Sequence, residues 1–516
     1  MTWRYNKSTE NRIRWGQHSG IGFKFLKAVA KNFILLQVLF LCLFAYVFGA
    51  LYLQTTHTHN INIALLDYDG GAIGSAIKAA YESLGGDGFP TLQEVSPSEF
   101  PQPSDLLSAV CSTRYWAGLY VSSGASDRLE NALGGGSPAL VYNRSDIITL
   151  IWNQARYSTV VDGAVFSNMQ TLSNTARIIY STADRTGALQ NFTDTEVLSV
   201  FANPWILSSV NIQPTTQGSR AIYNTLVIIL ILIQDFFYLG TINGIYANLK
   251  IYARIHPLRI ITMRFLNSLV YCMVGSLCVA GMIWAFRSGW NVDGDQWALT
   301  WITLWLFAHL NFQVLDVFTI WLPVPYVPMA LISWVVLNVT SILLPFELSP
   351  AFYRVGYMFP AHEVYETLLN IWSSGCNPHL QYSVPILFAW EIVALVLSVL
   401  GVFRRSHYAT IAEEQQAKQF DDRLKVAEEF QRGEDAKLQT PIGSAAQKDQ
   451  VAIDADKETS LENGATRQRL AAIINKEERE EAQIRRTLSR TCNFGPSFNM
   501  PFVGDDTDSD DTRSLK

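Results

Sequence analysis

The sequence predicts a polytopic α-helical membrane protein with six transmembrane helices and an extracytoplasmic α/β domain between the first two. Charged residues make up only 16% of the chain, against about 25% in an average soluble protein. They are also unevenly spread, because residues 404–516 hold 40 of the 84 charged residues. Elsewhere, six apolar runs approach the roughly 20 residues needed to cross a hydrocarbon core of about 30 Å. A single soluble globular enzyme is thereby excluded.

The N-terminal 53 residues predict a retained signal anchor. Residues 1–32 hold seven basic residues and one acidic residue, and residues 33–53 hold no charge. A charge-free run of this length is too long for the apolar region of a cleaved signal peptide. We therefore expect a cytoplasmic basic segment over 1–32 and the first transmembrane helix over 33–53.

Residues 221–403 predict a five-helix transmembrane bundle. Basic residues without acids lie between its first two helices, and Arg404 and Arg405 follow its last one. Because positive charge concentrates on the cytoplasmic side, both termini are expected to be cytoplasmic. The plasma membrane is the expected location, with an endomembrane as the alternative. The predicted helices are Ala221–Gly244, Phe265–Phe286, Ala298–Phe318, Val327–Leu344 and Val384–Phe403.

Residues 54–220 then form the extracytoplasmic domain. Alternating strand and helix patterns predict an α/β fold. Gly70–Gly74 lacks the Gly-x-Gly-x-x-Gly order, and no Gly-x4-Gly-Lys-Ser/Thr motif occurs, so we expect a turn and no ATPase. The predicted strands are 62–66, 115–121 and 139–142, and the predicted helices are 72–84, 104–111 and 146 to about 186.

Two kinds of covalent site follow from this topology. Asn143 and Asn191 begin Asn-x-Ser/Thr sequons on the side where N-glycosylation occurs. Cys111 and Cys376 are the only two cysteines expected in the oxidising compartment. They could form a disulfide bridge, or they could be two separate buried thiols.

Polar side chains inside the predicted spans are the candidate functional residues. His309, Gln313 and Asp316 share one helical face, at spacings of four and three residues. Ionisable groups in lipid usually face a bundle interior or a water-filled path. The alternatives are an ion pair of an aspartate with Arg264, and a hydrogen-bonded interior histidine. Glu391 is expected to be isolated. The candidate polar path comprises Asp235, His309, Gln313, Asp316 and Glu391.

An outer amphipathic helix is predicted near 360–372, on the membrane surface or re-entrant. Its apolar stripe leaves His362, Glu363 and Glu366 elsewhere around the helix. His362-Glu363 is not a His-Glu-x-x-His zinc motif, because Glu366 occupies the place of the second histidine. We expect no catalytic residues, no metal and no cofactor, and therefore no enzyme.

Residues 404–516 predict a cytoplasmic, largely disordered tail. Its sequence is rich in charge, with Gly-, Ser- and Asp-rich stretches around two charged helical segments at 412–434 and 466–490. Basic residues elsewhere lie beside hydrophobic spans and form no groove, so nucleic-acid binding is excluded.

Five segments carry a resemblance to known membrane proteins: Phe201–Trp205, Ala221–Thr225, Gln234–Gly240, Trp305–Phe312 and Pro360–His362. They are similar to those of the fungal nitrosoguanidine-resistance membrane proteins, over about residues 30–405. The overall plan resembles the membrane subunits of ABC-2-type exporters. The resemblance implies a fungal membrane protein linked to resistance to toxic compounds or to membrane-lipid organisation, with no established substrate.

Two functions are therefore expected. The first is a transporter-like protein that moves small amphipathic molecules or lipids without its own ATPase. The second is a non-transporting regulator or scaffold whose extracytoplasmic domain binds a ligand or partner. Membrane lipids are the expected partners in either case, and a homodimer is left open.

Overall fold

A computed structural model describes residues 20–183, 195–215, 226–287, 291–323, 326–438 and 472–474. Asn191 and most of the predicted 466–490 helix lie outside these residues. The chain divides into two compact units. The first comprises residues 1–235 with 269–395, and the second comprises residues 236–268 with 396–516.

Five helices in the described part of the chain are long and apolar enough to cross a membrane. A polytopic helical membrane protein is therefore confirmed. The helices that contain these candidate spans are α1 (Gly20–Ala50), α9 (Val227–Asn248), α11 (Pro257–Ala285), α12 (Gly294–Trp321) and α15 (Leu380–Leu438).

The predicted span Val327–Leu344 is shorter in the structure. Helix α13 covers Val327–Thr340, which is 14 residues. At about 1.5 Å per residue this helix is about 21 Å long, less than the hydrocarbon thickness of about 30 Å. The structure thus supports five crossings, and the sixth stays a prediction.

Helix α15 continues past the predicted membrane boundary at residue 404. We expected a span over 384–403, then a largely disordered tail with a separate helix at 412–434. The structure has one 59-residue helix, Leu380–Leu438. Pro385 lies inside it as the sixth residue, so the backbone carbonyl of Gln381 loses its helical hydrogen bond while the helix continues. The change from apolar to charged residues at Arg404 therefore marks a change of solvent and not the end of a helix.

The α/β domain between α1 and α9 contains a five-stranded sheet in the order β2-β1-β3-β4-β5. The β3–β4 pairing is antiparallel and the other pairings are parallel. Its strands are β1 (Asn62–Asp67), β2 (Thr91–Val95), β3 (Ala117–Val121), β4 (Ile148–Trp152) and β5 (Leu207–Asn211). Its helices are α2 (Ala72–Leu84), α3 (Pro103–Cys111), α4 (Ala125–Leu133), α5 (Ser137–Val141), α6 (Ser158–Val161), α7 (Asn168–Thr182) and α8 (Thr195–Ala202).

Two predicted elements of this domain are wrong. The predicted strand 139–142 is the short helix α5, and the predicted helix from 146 begins with strand β4. All five β4 residues are buried. A strand buried on both faces has no polar alternation, so a short apolar run does not distinguish it from a buried helix.

The glycine-rich segment after β1 is a turn. The Oδ1 atom of Asp67 accepts hydrogen bonds from the backbone N–H groups of Asp69 and Gly70, at 3.1 and 2.9 Å. Gly70 has a φ of +64°, which favours glycine. The Asp69 carboxylate in turn accepts from Ser126 N at 3.0 Å. These contacts explain the glycines structurally.

The second unit has a small core of its own around Tyr246, Ile260 and Val402. Beside it, Arg264 and Arg405 each donate to the hydroxyl of Tyr252, at 3.0 and 3.1 Å. Both guanidinium groups also approach Asn243 Oδ1, at 3.1 and 3.4 Å. This unit contains the short helix α10 (Ile251–Arg254).

Candidate functional site

Helix α12 supplies the buried polar face predicted from the sequence. A capping box between Asp293 and Gln296 begins the helix. Further along, three tryptophans at intervals of four residues donate their indole N–H groups to carbonyl oxygens of α11, each at 3.1 Å. This ladder fixes the rotation of α12, so that its polar side chains point into the protein. The donors are Trp297, Trp301 and Trp305.

Three of the predicted residues form one hydrogen-bonded chain. His309 Nδ1 lies 2.7 Å from Glu391 Oε1, and His309 Nε2 lies 3.3 Å from Gln313 Nε2. One assignment satisfies both contacts: Nδ1–H donates to the carboxylate, and Nε2 accepts from the Gln313 amide. The histidine and glutamate side chains are 5% and 14% exposed. The expectation that Glu391 is isolated is therefore wrong.

The two predicted aspartates are also buried. Asp235 Oδ1 accepts from Cys272 Sγ at 3.8 Å, and its Oδ2 atom has no partner among the described residues. Asp316 lies on α12, where Thr319 Oγ1 is 3.2 Å from its Oδ1. Burying polar groups in such surroundings costs free energy unless they are hydrogen-bonded, and ionisable groups kept there usually have a function.

A second buried polar centre lies on α14 (Pro360–Trp372). This helix was expected to be amphipathic, but eleven of its 13 residues are buried, including His362, Glu363 and Glu366. Sequence periodicity located the helix and its apolar stripe, yet it could not show that protein covers the polar side as well.

Glu366 is the hub of this second centre. Asn377 Nδ2 donates to its Oε2 atom at 2.6 Å and to its backbone carbonyl at 3.0 Å. Two histidines approach the same carboxylate: His379 Nδ1 is 3.7 Å from Oε2, and His362 Nε2 is 3.9 Å from Oε1. The described residues hold no group of three or more His, Cys, Asp or Glu side chains arranged for a metal ion.

Burial perturbs the acid–base properties of this centre. It raises the pKa of Glu363 from 4.5 to about 7, an effect that Ser383 opposes and Glu366 reinforces. It also lowers the pKa of His362, which Glu366 partly offsets. One carboxyl group on α14 thus changes its charge near neutral pH.

The raised pKa of Glu363 predicts a pH dependence of stability. The native state holds this proton more tightly than the unfolded state does, so the stabilisation is complete below about pH 4.5 and is lost towards about pH 7. With allowance for water screening, the loss is about 2 kcal/mol. Glu363→Gln should flatten thermal unfolding curves of the detergent-purified protein measured across this range. An unchanged pH profile would contradict the prediction, and the exposed Glu82→Gln is the control.

Helix α14 also fastens the α/β domain. Tyr365 Oη accepts from Tyr157 N at 2.9 Å and donates to Ala155 O at 3.3 Å. The predicted cysteine pair follows shortly after the helix: Cys111 and Cys376 are joined as a disulfide, with Cα atoms 4.2 Å apart. On its other side, α14 contacts the apolar helices, because Trp372 Nε1 donates to Thr300 Oγ1 at 3.0 Å. Movements of the domain and of these helices would therefore meet at α14.

The sequon at Asn143 is exposed on the α/β domain. The Asn143 side chain accepts from Ser145 N at 3.1 Å and donates to Asp146 Oδ2 at 2.6 Å, within a short 3₁₀ turn. Asn191, the second candidate, lies outside the described residues.

Comparison with known proteins gives a family and no structural relative. No solved structure matches the chain. The sequence model of one family, DUF3533, matches residues 32–396, which is more than two thirds of the 516 residues. The match runs from α1 into α15 and includes both buried polar centres. The chain therefore belongs to the DUF3533 family, described as "Protein of unknown function".

Proposed function

We propose that this protein is a transporter-like membrane protein that moves small amphipathic molecules or lipids without an ATPase of its own. The observation that carries the proposal is the buried chain Glu391–His309–Gln313 between α12 and α15. Apolar side chains would fill this space at no cost in desolvation. Ionisable groups kept inside membrane helices typically serve substrate or ion pathways.

The sequence resemblances support the same proposal. Similarity to ABC-2-type and nitrosoguanidine-resistance membrane proteins favours a role in the response to toxic compounds or in lipid organisation. The distribution of basic residues favours cytoplasmic termini. In that orientation the α/β domain and α14 lie on the outer side. The plasma membrane is the proposed location, with an endomembrane as the alternative.

Glycosylation tests this orientation. If the α/β domain is extracytoplasmic, the exposed Asn143 sequon should carry a glycan in a eukaryotic host. Asn143→Gln should then remove one glycosidase-sensitive step in gel mobility, whereas the exposed Asn131→Gln, which lies outside any sequon, should not. Mobility that glycosidase leaves unchanged in the wild type would contradict the orientation. A parallel variant in which Asn191 is also replaced separates the contribution of the second sequon.

The alternative function is a non-transporting regulator or scaffold. The observation that favours it is the exposed apolar surface of α5, where Leu140 and Val141 are 70% and 80% exposed. Exposed apolar surface on a soluble domain can mark a binding site. In this case the two buried polar centres would only order the helices.

The decisive experiment measures transport by the purified full-length protein in liposomes. Fluorescent phospholipid exchange between leaflets and uptake of a small amphipathic dye are the two readouts. We expect at least one to exceed that of protein-free liposomes, and Glu391→Gln to lower it on the order of tenfold or more. The matched control is Ile392→Ala, since Ile392 is the next residue and is 59% exposed.

The outcomes separate the two functions. No flux above protein-free liposomes would reject transport of these probes and favour the regulator. Flux that Glu391→Gln leaves unchanged would keep a transport function but remove the buried chain from it. Equal loss in the Ile392 variant would indicate a general defect of α15.

A further inference from the structure

We propose that His362, Glu363, Glu366 and His379 form a proton-exchange site that connects the aqueous solution with the His309–Glu391 pair. Protons would then supply the driving force for the proposed transport. This inference rests on the proposed function for its cargo only, because proton binding and proton movement can be measured without any cargo.

The first support is the placement of the titratable groups. Three of them lie within five consecutive residues of a helix that protein surrounds, and each is at most 7% exposed: His362, Glu363 and Glu366. A helix with eleven of 13 residues buried needs no ionisable residue for packing, and each one costs desolvation energy. Asn377 holds the Glu366 carboxylate in place through a hydrogen bond of 2.6 Å.

The second support is access to solution. The His379 side chain is 38% exposed, and its Nδ1 atom is 3.7 Å from Glu366 Oε2. On the other side of the same carboxylate, His362 Nε2 is 3.9 Å from Oε1. Both separations are slightly longer than a hydrogen bond, so a small rotation or one bridging water completes each transfer.

The third support is continuity toward the intramembrane pair. Glu363 lies beside Ser383 at the start of α15, and Glu391 follows two helical turns later, about 12 Å along the helix. Glu391 Oε2 is buried and has no hydrogen-bond partner among the described residues, which leaves one oxygen available to take up a proton. Its other oxygen already contacts His309.

The pKa of the site is set mainly by burial, and charged groups lie near it. Burial disfavours the Glu363 carboxylate and holds its pKa at about 7, so that its occupancy changes with the pH outside. Negative and positive neighbours are mixed around the cluster. The titratable and charged groups that act on it or on its neighbours are Arg156, Tyr157, Glu347, Arg354, Tyr357 and Tyr365.

The transfer needs no reactant other than water. One proton from water binds His379 or Glu366 and moves to Glu363. Water molecules then carry it over the roughly 12 Å along α15 to Glu391 or His309, and it leaves to water on the other side of the pair. Each step breaks one O–H or N–H bond and forms another, and every group returns to its starting state.

Proton flux in proteoliposomes tests the proposal. Vesicles that hold a pH-sensitive dye receive an external acid pulse, with potassium and valinomycin clamping the membrane potential. We expect wild-type vesicles to acidify faster than protein-free ones, and Glu363→Gln and Glu366→Gln to slow this on the order of tenfold. The control is Glu82→Gln, an exposed glutamate on α2.

The results distinguish this inference from the proposed function. Proton flux without dye or lipid flux would support the site and reject the cargo. Cargo flux that neither a pH gradient nor Glu363→Gln alters would overturn the site and leave the transport function intact. No proton flux in the wild type would also overturn it.

A second measurement uses the wild-type protein, so its result does not depend on whether a substituted variant folds. A hydrophobic carbodiimide reacts with protonated carboxyl groups, and peptide mass spectrometry locates the product. We expect labelling of Glu363 to fall about tenfold between a pH well below its pKa and a pH about one unit above it. Labelling that is absent, or constant across this range, would overturn the proposal.

Discussion

Replacing His309 with leucine is expected to destabilise the protein by about 3–5 kcal/mol, because it leaves Glu391 as a buried carboxylate without its histidine. The Glu391 side chain is only 14% exposed, and its other oxygen has no partner among the described residues. Equilibrium unfolding in mixed detergent micelles measures this change, and steady-state abundance in cells should fall with it.

A double replacement separates stability from transport. The double variant His309→Leu with Glu391→Leu leaves no unpaired carboxylate at this position, so we expect most of the lost stability to return. Transport should not return, since the polar chain is gone. If the double variant is as unstable as the single one, the defect comes from packing at position 309 and the pair has no special role. If it recovers both stability and flux, the pair is structural only.

Removing the disulfide is the second change with a large expected effect. Cys111 and Cys376 are 265 residues apart in sequence, and a bridge that closes so long a loop stabilises by about 2–5 kcal/mol. Cys111→Ser should therefore loosen the α/β domain from the segment after α14 and increase its cleavage by added protease. Non-reducing gels should show slower migration of the variant.

The control for this prediction is Cys278→Ser, because Cys278 is a free, exposed cysteine on α11. It should change neither protease sensitivity nor migration. Quantitative alkylation of the denatured, unreduced wild type gives a direct check. Full labelling of Cys111 and Cys376 would show two separate thiols and contradict the bridge.

The pattern of apolar residues was sufficient to find the five helices that are long and apolar enough to cross a membrane, because this depends on the length and composition of one segment. Local pattern also located β1 and α2. The predicted bounds are 62–66 and 72–84, and the structure has Asn62–Asp67 and Ala72–Leu84. Predictions were weaker where one local signal has two explanations. Strand β4 was taken for helix, and the change of charge at Arg404 was taken for the end of a helix that continues to Leu438.

Sequence also identified the polar residues of α12 and placed them on one face, since helical spacing is a local property. It could not supply their partners. Glu391 is 82 residues from His309, and nothing in either segment indicates that α15 packs against α12 at that level. Only tertiary packing decides such a contact, because it depends on how helices rotate and cross.

Helix α14 shows the same division. Its bounds, 360–372, followed from the sequence and agree with the structure. Its surroundings did not, because periodicity reports the apolar side of a helix and not what covers the polar side. Tyr365 reaches a backbone group of Tyr157, 208 residues away, and Glu366 meets residues from the next loop. The sequence by itself determined which segments are apolar and where the long apolar helices lie. The tertiary structure decided which buried polar groups meet, since that depends on contacts between distant segments.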